Sequence, residues 1–168
     1  ILPNPVASNE QIAELLGIGE NLYIRTDLGR LLASNGEPLI GDSVGFAFDD
    51  NALSDVFVSD SYLYLAGMGH VQEYDFARRH ITNDWQIAAT GDVSIIDVIA
   101  GEPLALVSGR AMLGETVLGV EDGEVIDLSY DGERIWTLRQ GNSGLYLMGF
   151  LASDLDDKTC YFRNPTAG

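Results

Sequence analysis

The sequence predicts an all-β, antiparallel fold, and three observations support that class. The chain has 168 residues with 19 glycines, a content typical of a fold with many tight turns. Apolar residues make up 46% and charged residues 21%, the composition of a folded domain with a buried core. A turn dipeptide followed at once by an apolar, strand-like run occurs four times along the chain. These features predict short strands joined by hairpins.

The four turn dipeptides are spaced by 41, 41 and 31 residues. They are Gly19-Glu20, Asp60-Ser61, Gly101-Glu102 and Gly132-Glu133. Another glycine follows seven to nine residues beyond each dipeptide, and a second β-prone run follows that glycine, as in Leu31–Ala33 and Val71–Tyr74. Because glycine, aspartate and asparagine favour tight turns, each unit is predicted to contain a hairpin of two strands.

Two further strands fit into each unit. Alternating apolar residues precede the next unit at Val44, Phe46 and Phe48, and again 41 residues later at Trp85, Ile87 and Ala89. Such alternation marks a strand with one buried face. Another strand fits just before each dipeptide, as in Asp55–Val58 and Ile95–Ile99. Each unit of about 41 residues is therefore predicted to contain four short strands.

A repeat of this kind resembles the blades of a β-propeller. The runs Ser59–Ala66 and Val71–Asp75 resemble the inner hairpin of many blades, and Asp127–Trp136 is similar to blades with an Asp-Gly turn. The resemblance covers most of residues 13–155 and implies about four blades. No Trp-Asp, Tyr-Trp-Thr-Asp or kelch double-glycine motif narrows it to a subfamily. Another β-sandwich or barrel, or a mixed fold, stays open, whereas a β-trefoil has only three units.

The repeat divides the chain into an extended lead-in over residues 1–12 and a single repeat domain over residues 13–168. The approximate units are 13–53, 54–94, 95–125 and 126–168. The strand-like run Lys158–Phe162 is expected to close the terminal edge. Because the first residue is Ile1, we expect that the chain is processed or is a fragment of a longer polypeptide.

One segment departs from the repeat. Ser8 and Gln11 fit a helix capping box, and Ile12, Leu15 and Leu16 have helical spacing. The repeat instead requires a strand near Leu15–Ile18. The local pattern predicts one or two helical turns that end by Leu16.

The charge balance limits the partners. Twenty-six acids face nine bases, which gives a net charge of −17, and Lys158 is the single lysine. This negative field disfavours nucleic acid as a partner. A solvated surface and a halophilic, lysine-poor surface both fit the composition. No apolar run is long enough to span a bilayer, so no membrane insertion is expected.

Motifs for catalysis are scarce. His70 and His80 lie ten residues apart, outside any His-x-His or His-Glu-x-x-His pattern, and are interpreted as surface or hydrogen-bonding residues. The sequence has no Gly-x-Ser-x-Gly nucleophile motif and no P-loop, and Gly67-Met68-Gly69 is predicted to be a hairpin turn. Trp85 and Trp136 are interpreted as core residues.

Metal sites are weakly indicated. The lone Cys160 excludes an internal disulfide and a cysteine-based zinc site. Two groups of hard oxygen ligands are compatible with calcium, although neither has the EF-hand spacing. They are Asp49-Asp50-Asn51 with Asp55, and Asp154 with Asp156 and Asp157. Solvated loops are the simpler interpretation, and no cofactor is expected.

Arg78-Arg79-His80 is the one basic cluster and the predicted binding site. Guanidinium groups bind carboxylate or phosphate bidentately, although ion pairs with the chain's own acids are the simpler interpretation. We expect a non-enzymatic interaction or structural module that binds protein or carbohydrate partners, as a homo-oligomer or within a larger assembly such as a virion, fibre or surface layer. Alternatives are a secreted or periplasmic hydrolase or lyase whose acids converge at one propeller face, and a segment of a larger multidomain propeller protein. An extracellular or virion-associated location is favoured.

Overall fold

The computed structural model describes residues 6, 8–39, 53–59, 62–78, 80–88, 91–119, 123–142 and 144–165, with side chains up to residue 160. The described residues form fifteen β-strands in four antiparallel sheets and no helix. The all-β, antiparallel prediction is therefore confirmed. Closure of these sheets into a propeller stays a prediction.

Each sheet follows the order of the chain. Sheet 1 contains β1 (Ile12–Ile18), β2 (Asn21–Thr26) and β3 (Leu31–Ala33). Sheet 2 contains β4 (Leu53–Ser59), β5 (Tyr62–Gly67), β6 (His70–Asp75) and β7 (His80–Gln86). Sheet 3 contains β8 (Val93–Ile99), β9 (Glu102–Val107), β10 (Arg110–Leu113) and β11 (Thr116–Val117). Sheet 4 contains β12 (Glu124–Tyr130), β13 (Arg134–Gly141), β14 (Gly144–Leu151) and β15 (Asp154–Pro165).

The short helix predicted to end by Leu16 is wrong. Those residues form β1, which pairs with β2 so that Leu15 lies opposite Ile24 and Leu16 opposite Tyr23. Pairing places Leu16 in the core and leaves Leu15 exposed, a period of two instead of a helical period. Tertiary packing of the strand thus outweighs the local capping signal.

Three of the hairpin turns are two residues long and have the backbone twist that suits an antiparallel hairpin. Met68-Gly69, Ala100-Gly101 and Ser108-Gly109 each have positive φ at both positions, the signature of a type I′ turn. The turn at Gly67-Met68-Gly69 is close to the prediction. The third predicted dipeptide, Gly101-Glu102, is displaced by one residue, because Ile99 pairs directly with Glu102.

A β-bulge interrupts the first strand of every sheet. An acidic residue follows each bulge: Glu14, Asp55, Asp97 and Asp127. In the three aspartates, Oδ1 accepts a hydrogen bond of 2.7–2.9 Å from the next backbone N–H. These carboxylates satisfy amides near the point where the bulge disturbs the ladder.

The chain divides into two compact units, residues 1–92 and 93–168. In the first unit, Leu16, Ile18 and Leu31 of sheet 1 pack against the sheet 2 residues Val56, Leu63, Leu65 and Tyr74. In the second unit, Leu104, Ala111 and Leu113 of sheet 3 pack against the sheet 4 residues Leu128, Ile135, Met148 and Phe150. Each unit therefore has its own sheet-on-sheet core.

Some predicted features lie outside the described residues. These are the strand over Val44–Phe48, the acids Asp49-Asp50-Asn51, the dipeptide Asp60-Ser61 and the central residue of the basic cluster, Arg79. The predicted strand at Lys158–Phe162 lies within β15, where it pairs with β14. The described part of the chain contains no helix that is long and apolar enough to cross a membrane.

Candidate functional site

The predicted basic cluster lies in the connection between β6 and β7. The side chain of Arg78 is 69% exposed, and its Nε lies 3.7 Å from Oδ2 of Asp75. The backbone N–H of Arg78 also donates a hydrogen bond of 3.0 Å to Oδ1 of Asp75, a buried residue. Asp75 thus fixes the turn and leaves most of the guanidinium accessible.

His80 is the exposed first residue of β7 and lies opposite Asp75 in the ladder. Arg78 and His80 therefore lie near the same carboxylate at one end of the β6–β7 hairpin. Arg79, between them, lies outside the described residues. The ion pair with Asp75 agrees with the simpler interpretation for Arg78, although its exposure leaves room for a second anion.

The other end of the hairpin carries the second histidine. Nδ1 of His70 lies 3.0 Å from Oδ1 of Asp84, and Nε2 of Gln72 donates a hydrogen bond of 2.8 Å to Oδ2 of the same carboxylate. Asp84 lies opposite Gln72, which puts these three side chains on one face. The carboxylate orients the imidazole ring from the Nδ1 side.

The two histidines do not form a joint site. His70 lies opposite Gln86 at one end of the β6–β7 ladder, and His80 lies opposite Asp75 at the other. The five-residue separation along β6 corresponds to about 17 Å at about 3.4 Å per residue. Each histidine must therefore act with its own neighbours.

A buried polar network lies between the two ends, on the opposite face of sheet 2. Oε2 of Glu73 accepts a hydrogen bond of 2.7 Å from the hydroxyl of Tyr64. Oε1 accepts hydrogen bonds from the hydroxyl of Thr82 and, at 3.0 Å, from the amide of Asn83. A bulge in β7 lets both of these consecutive residues reach one carboxylate. Burial, together with the bond to Glu73, raises the pKa of Tyr64 well above its ordinary value.

Both tryptophans are half-buried and lie outside the fully buried core. Trp85 stacks on Tyr64 with ring centroids 6.1 Å apart. Nε1 of Trp136 donates a hydrogen bond of 2.7 Å to Asp131 across a turn. Their aromatic surface is thus partly engaged in local contacts.

The acidic clusters do not converge in the described part of the chain. No group of three or more His, Cys, Asp or Glu residues is placed there to hold a metal ion. Oδ1 of Asp154 accepts a hydrogen bond of 3.3 Å from the backbone of Asp156, and Asp157 lies 3.9 Å from Arg134. Asp55 uses Oδ1 to bind its neighbouring amide.

Two buried polar centres were missed by sequence reasoning. One is Glu73, whose sequence neighbours resemble those of an ordinary strand residue. The other is Arg139, which is 1% exposed and donates hydrogen bonds to the carbonyls of Leu118, Gly119 and Gly123. A signal for the second was an arginine that continues the inward alternation of Ile135 and Thr137 in β13. A charge at an inward position indicates a buried polar contact.

No family model matches this chain, and no curated protein matches it. Among solved structures, it is similar to the computationally designed Ika8 protein, with a TM-score of 0.59 and 8% sequence identity. The match covers 90% of this chain and 48% of the designed one. This chain therefore spans about half the length of that protein, and at this identity the likeness concerns the fold alone.

Proposed function

We propose that this chain is a non-enzymatic interaction module that binds a protein partner along the β6–β7 hairpin. The observation that supports the proposal is the exposed guanidinium of Arg78, held at the turn by the buried Asp75. A fixed backbone reduces the entropy lost when the side chain orders on a partner. The guanidinium is then available to a carboxylate on the partner surface.

The charges along the hairpin differ at its two ends. Arg78 and His80 supply donors at one end, and the carboxylate of Asp84 is 42% exposed at the other. A partner with an acidic group and a basic group about 10 Å apart would complement both ends, because Asp84 lies opposite Gln72 and His80 opposite Asp75, three residues further along β6. The net charge of −17 on this chain attracts the basic group of the partner as the two proteins approach one another.

A synthetic peptide tests this proposal. The probe is an extended peptide with one glutamate and one arginine three residues apart, and its binding to the 168-residue chain is measured by surface plasmon resonance at low salt. Arg78→Ala should weaken binding by about tenfold, the effect of losing one charge-assisted contact. Arg110→Ala removes the same charge from an exposed position of β10 and should leave binding unchanged. Equal affinity of the wild type and Arg78→Ala contradicts the proposal.

A hydrolase or lyase is the second candidate, and the pair His70–Asp84 favours it. A carboxylate that orients a histidine through Nδ1 is one half of the arrangement used in general base catalysis. The test is turnover of p-nitrophenyl esters and glycosides by the wild type, His70→Ala and His80→Ala. A rate that is lost in His70→Ala and kept in His80→Ala supports this candidate. Absence of turnover by the wild type removes it for these substrates.

The wider setting is part of the proposal. A propeller, or a segment of a larger multidomain propeller protein, would present this hairpin on a rigid scaffold. Membership of a virion, fibre or surface layer stays a prediction from the sequence.

A further inference from the structure

Exposed apolar side chains are concentrated on one face of sheet 1. Ile12, Leu15 and Leu22 are 51%, 58% and 45% exposed. The strand register places all three on the face that also carries Ile24, because Ile12 pairs with Thr26, Leu15 with Ile24, and Gly17 with Leu22. Ile24 and Leu32 of this face are buried together with Val6, whereas the other three side chains stay exposed beside them. We call Ile12, Leu15 and Leu22 the outer face of sheet 1. Large aliphatic side chains grouped this way are characteristic of an interaction surface.

The opposite face of sheet 1 shows how such a face is normally covered. Leu16, Ile18 and Leu31 lie on that face and pack against Leu63 and Leu65 of sheet 2. Leu63 and Leu65 have the same alternation in β5 that Leu22 and Ile24 have in β2, because they are the second and fourth residues of their strands. The outer face of sheet 1 is therefore equivalent to the face that sheet 2 uses to bind sheet 1.

The second unit repeats this arrangement. Ile135, Thr137 and Arg139 lie on the face of sheet 4 that packs against sheet 3. Ile135 pairs with Phe150 and Thr137 with Met148, and Phe150 and Met148 belong to the core shared by the two sheets. The intervening positions of sheet 4 are mixed in polarity. Leu138, Leu147 and Leu151 are half-buried there and share the face with Arg134, Trp136 and Gln140. We call these three leucines the outer face of sheet 4. This face is equivalent to the one that sheet 1 uses to bind sheet 2.

Each unit contains one interface between two sheets. The outer face of sheet 1 corresponds to one side of such an interface, and the outer face of sheet 4 corresponds to the other side. We propose that a second copy of this chain binds there, with the outer face of sheet 4 of one copy packed on the outer face of sheet 1 of the other. The contact joins two different surfaces, so it is heterologous and leaves one outer face of each type available at the ends of a dimer. This association is separate from partner binding at the β6–β7 hairpin.

Charge determines the conditions for association. Each copy has a net charge of −17, so two copies repel one another at low ionic strength. Salt screens this repulsion and strengthens burial of apolar surface. We therefore expect the apparent mass to rise with protein concentration and with salt.

Sedimentation velocity of the 168-residue chain at about 100 μM in 0.5 M salt tests the proposal. The wild type should sediment as a dimer or larger species, and the double variant Leu15→Asp/Leu22→Asp should sediment as a monomer with an unchanged circular dichroism spectrum. The matched control is Leu28→Asp, which alters a leucine that is 44% exposed in the β2–β3 turn and should keep the wild-type mass.

A mixing experiment tests the heterologous geometry. Leu138→Asp should also sediment as a monomer, since it removes the outer face of sheet 4. An equimolar mixture of Leu138→Asp with the Leu15/Leu22 double variant retains one intact face of each type and should form a dimer that grows no further. A monomeric wild type, association that survives the double variant, or a mixture that stays monomeric overturns the proposal.

Discussion

Tyr64 donates a hydrogen bond of 2.7 Å to Glu73, which lies directly opposite it in the β5–β6 ladder. Both residues are buried, at 2% and 6% exposure. Thr82 and Asn83 bind the other carboxylate oxygen from β7. The network therefore joins three consecutive strands of sheet 2 through a single side chain, because a buried carboxylate requires hydrogen-bond donors.

Tyr64→Phe is expected to destabilise the protein by about 1–2 kcal/mol, because Oε2 of Glu73 loses a donor while the ring is kept. Urea unfolding measures the change. Tyr62→Phe, at the half-buried start of β5, is the matched control and should change stability by less than about 0.5 kcal/mol. Equal stability of both variants would contradict a role for this bond.

The same tyrosine predicts sensitivity to alkaline pH. Burial and the bond to Glu73 raise the pKa of Tyr64, so above pH ~10 the folded state holds a proton that the unfolded state releases. This contribution to stability is complete below pH ~10 and declines as the pH rises further. Unfolding midpoints from pH 8 to 11 should fall more steeply for the wild type than for Tyr64→Phe.

Arg139 connects β13 to the segment that precedes β12. Its guanidinium donates hydrogen bonds of 2.5 and 2.7 Å to the carbonyls of Leu118 and Gly119 and packs over Phe150. Arg139→Met keeps the aliphatic volume and removes these donors, so we expect a loss of about 3 kcal/mol in the free energy of unfolding. Arg110→Met, at an exposed position, should be nearly neutral in the same urea titration.

Gly123 lies where the chain cannot accept a side chain. A Cβ there would lie 2.7 Å from the carbonyl oxygen of Gln140, at a φ of +89°. Gly132 has a similar φ of +98° but open space around it. Gly132→Ala therefore measures the backbone strain alone, about 1 kcal/mol, and Gly123→Ala should cost about 3 kcal/mol in thermal or urea unfolding. Equal losses would show that the contact with Gln140 relaxes freely.

Asp131 organises the turn between β12 and β13. Hydrogen bonds from the backbone of Arg134, the indole of Trp136 and the backbone of Glu133 lower its pKa to about 2. Because the folded pKa lies below the ordinary value of 3.8, the stabilisation is present above pH ~4 and is lost as the pH falls towards 2. A carboxyl NMR titration should show this midpoint, and Trp136→Phe should raise it.

Salt is expected to stabilise the fold. The net charge of −17 produces self-repulsion in the folded state, which added sodium chloride screens. The melting temperature of the monomeric Leu15→Asp/Leu22→Asp variant should rise between 0.05 and 2 M salt. A fall over this range would contradict both this prediction and the halophilic interpretation.

The sheets begin at Ile12, Leu53, Val93 and Glu124. The strand class could be predicted because turn glycines and alternating side chains act over a few residues. The division into the repeat units 13–53, 54–94, 95–125 and 126–168 stays a prediction. Only part of the candidate site could be predicted from the sequence. Arg78 and His80 lie two residues apart in the sequence, whereas the contact between His70 and Asp84 depends on the register of β6 and β7.

The amino-acid sequence by itself determined the all-β, antiparallel class and the acidic composition, because these depend on residue content and on neighbours along the chain. Only the tertiary structure decided that residues 12–18 form a strand, that Glu73 and Arg139 are buried, and that Leu15 and Leu22 share an exposed face. Register and burial arise from contacts between distant segments. Their free energy exceeds the few tenths of a kcal/mol by which local propensities differ.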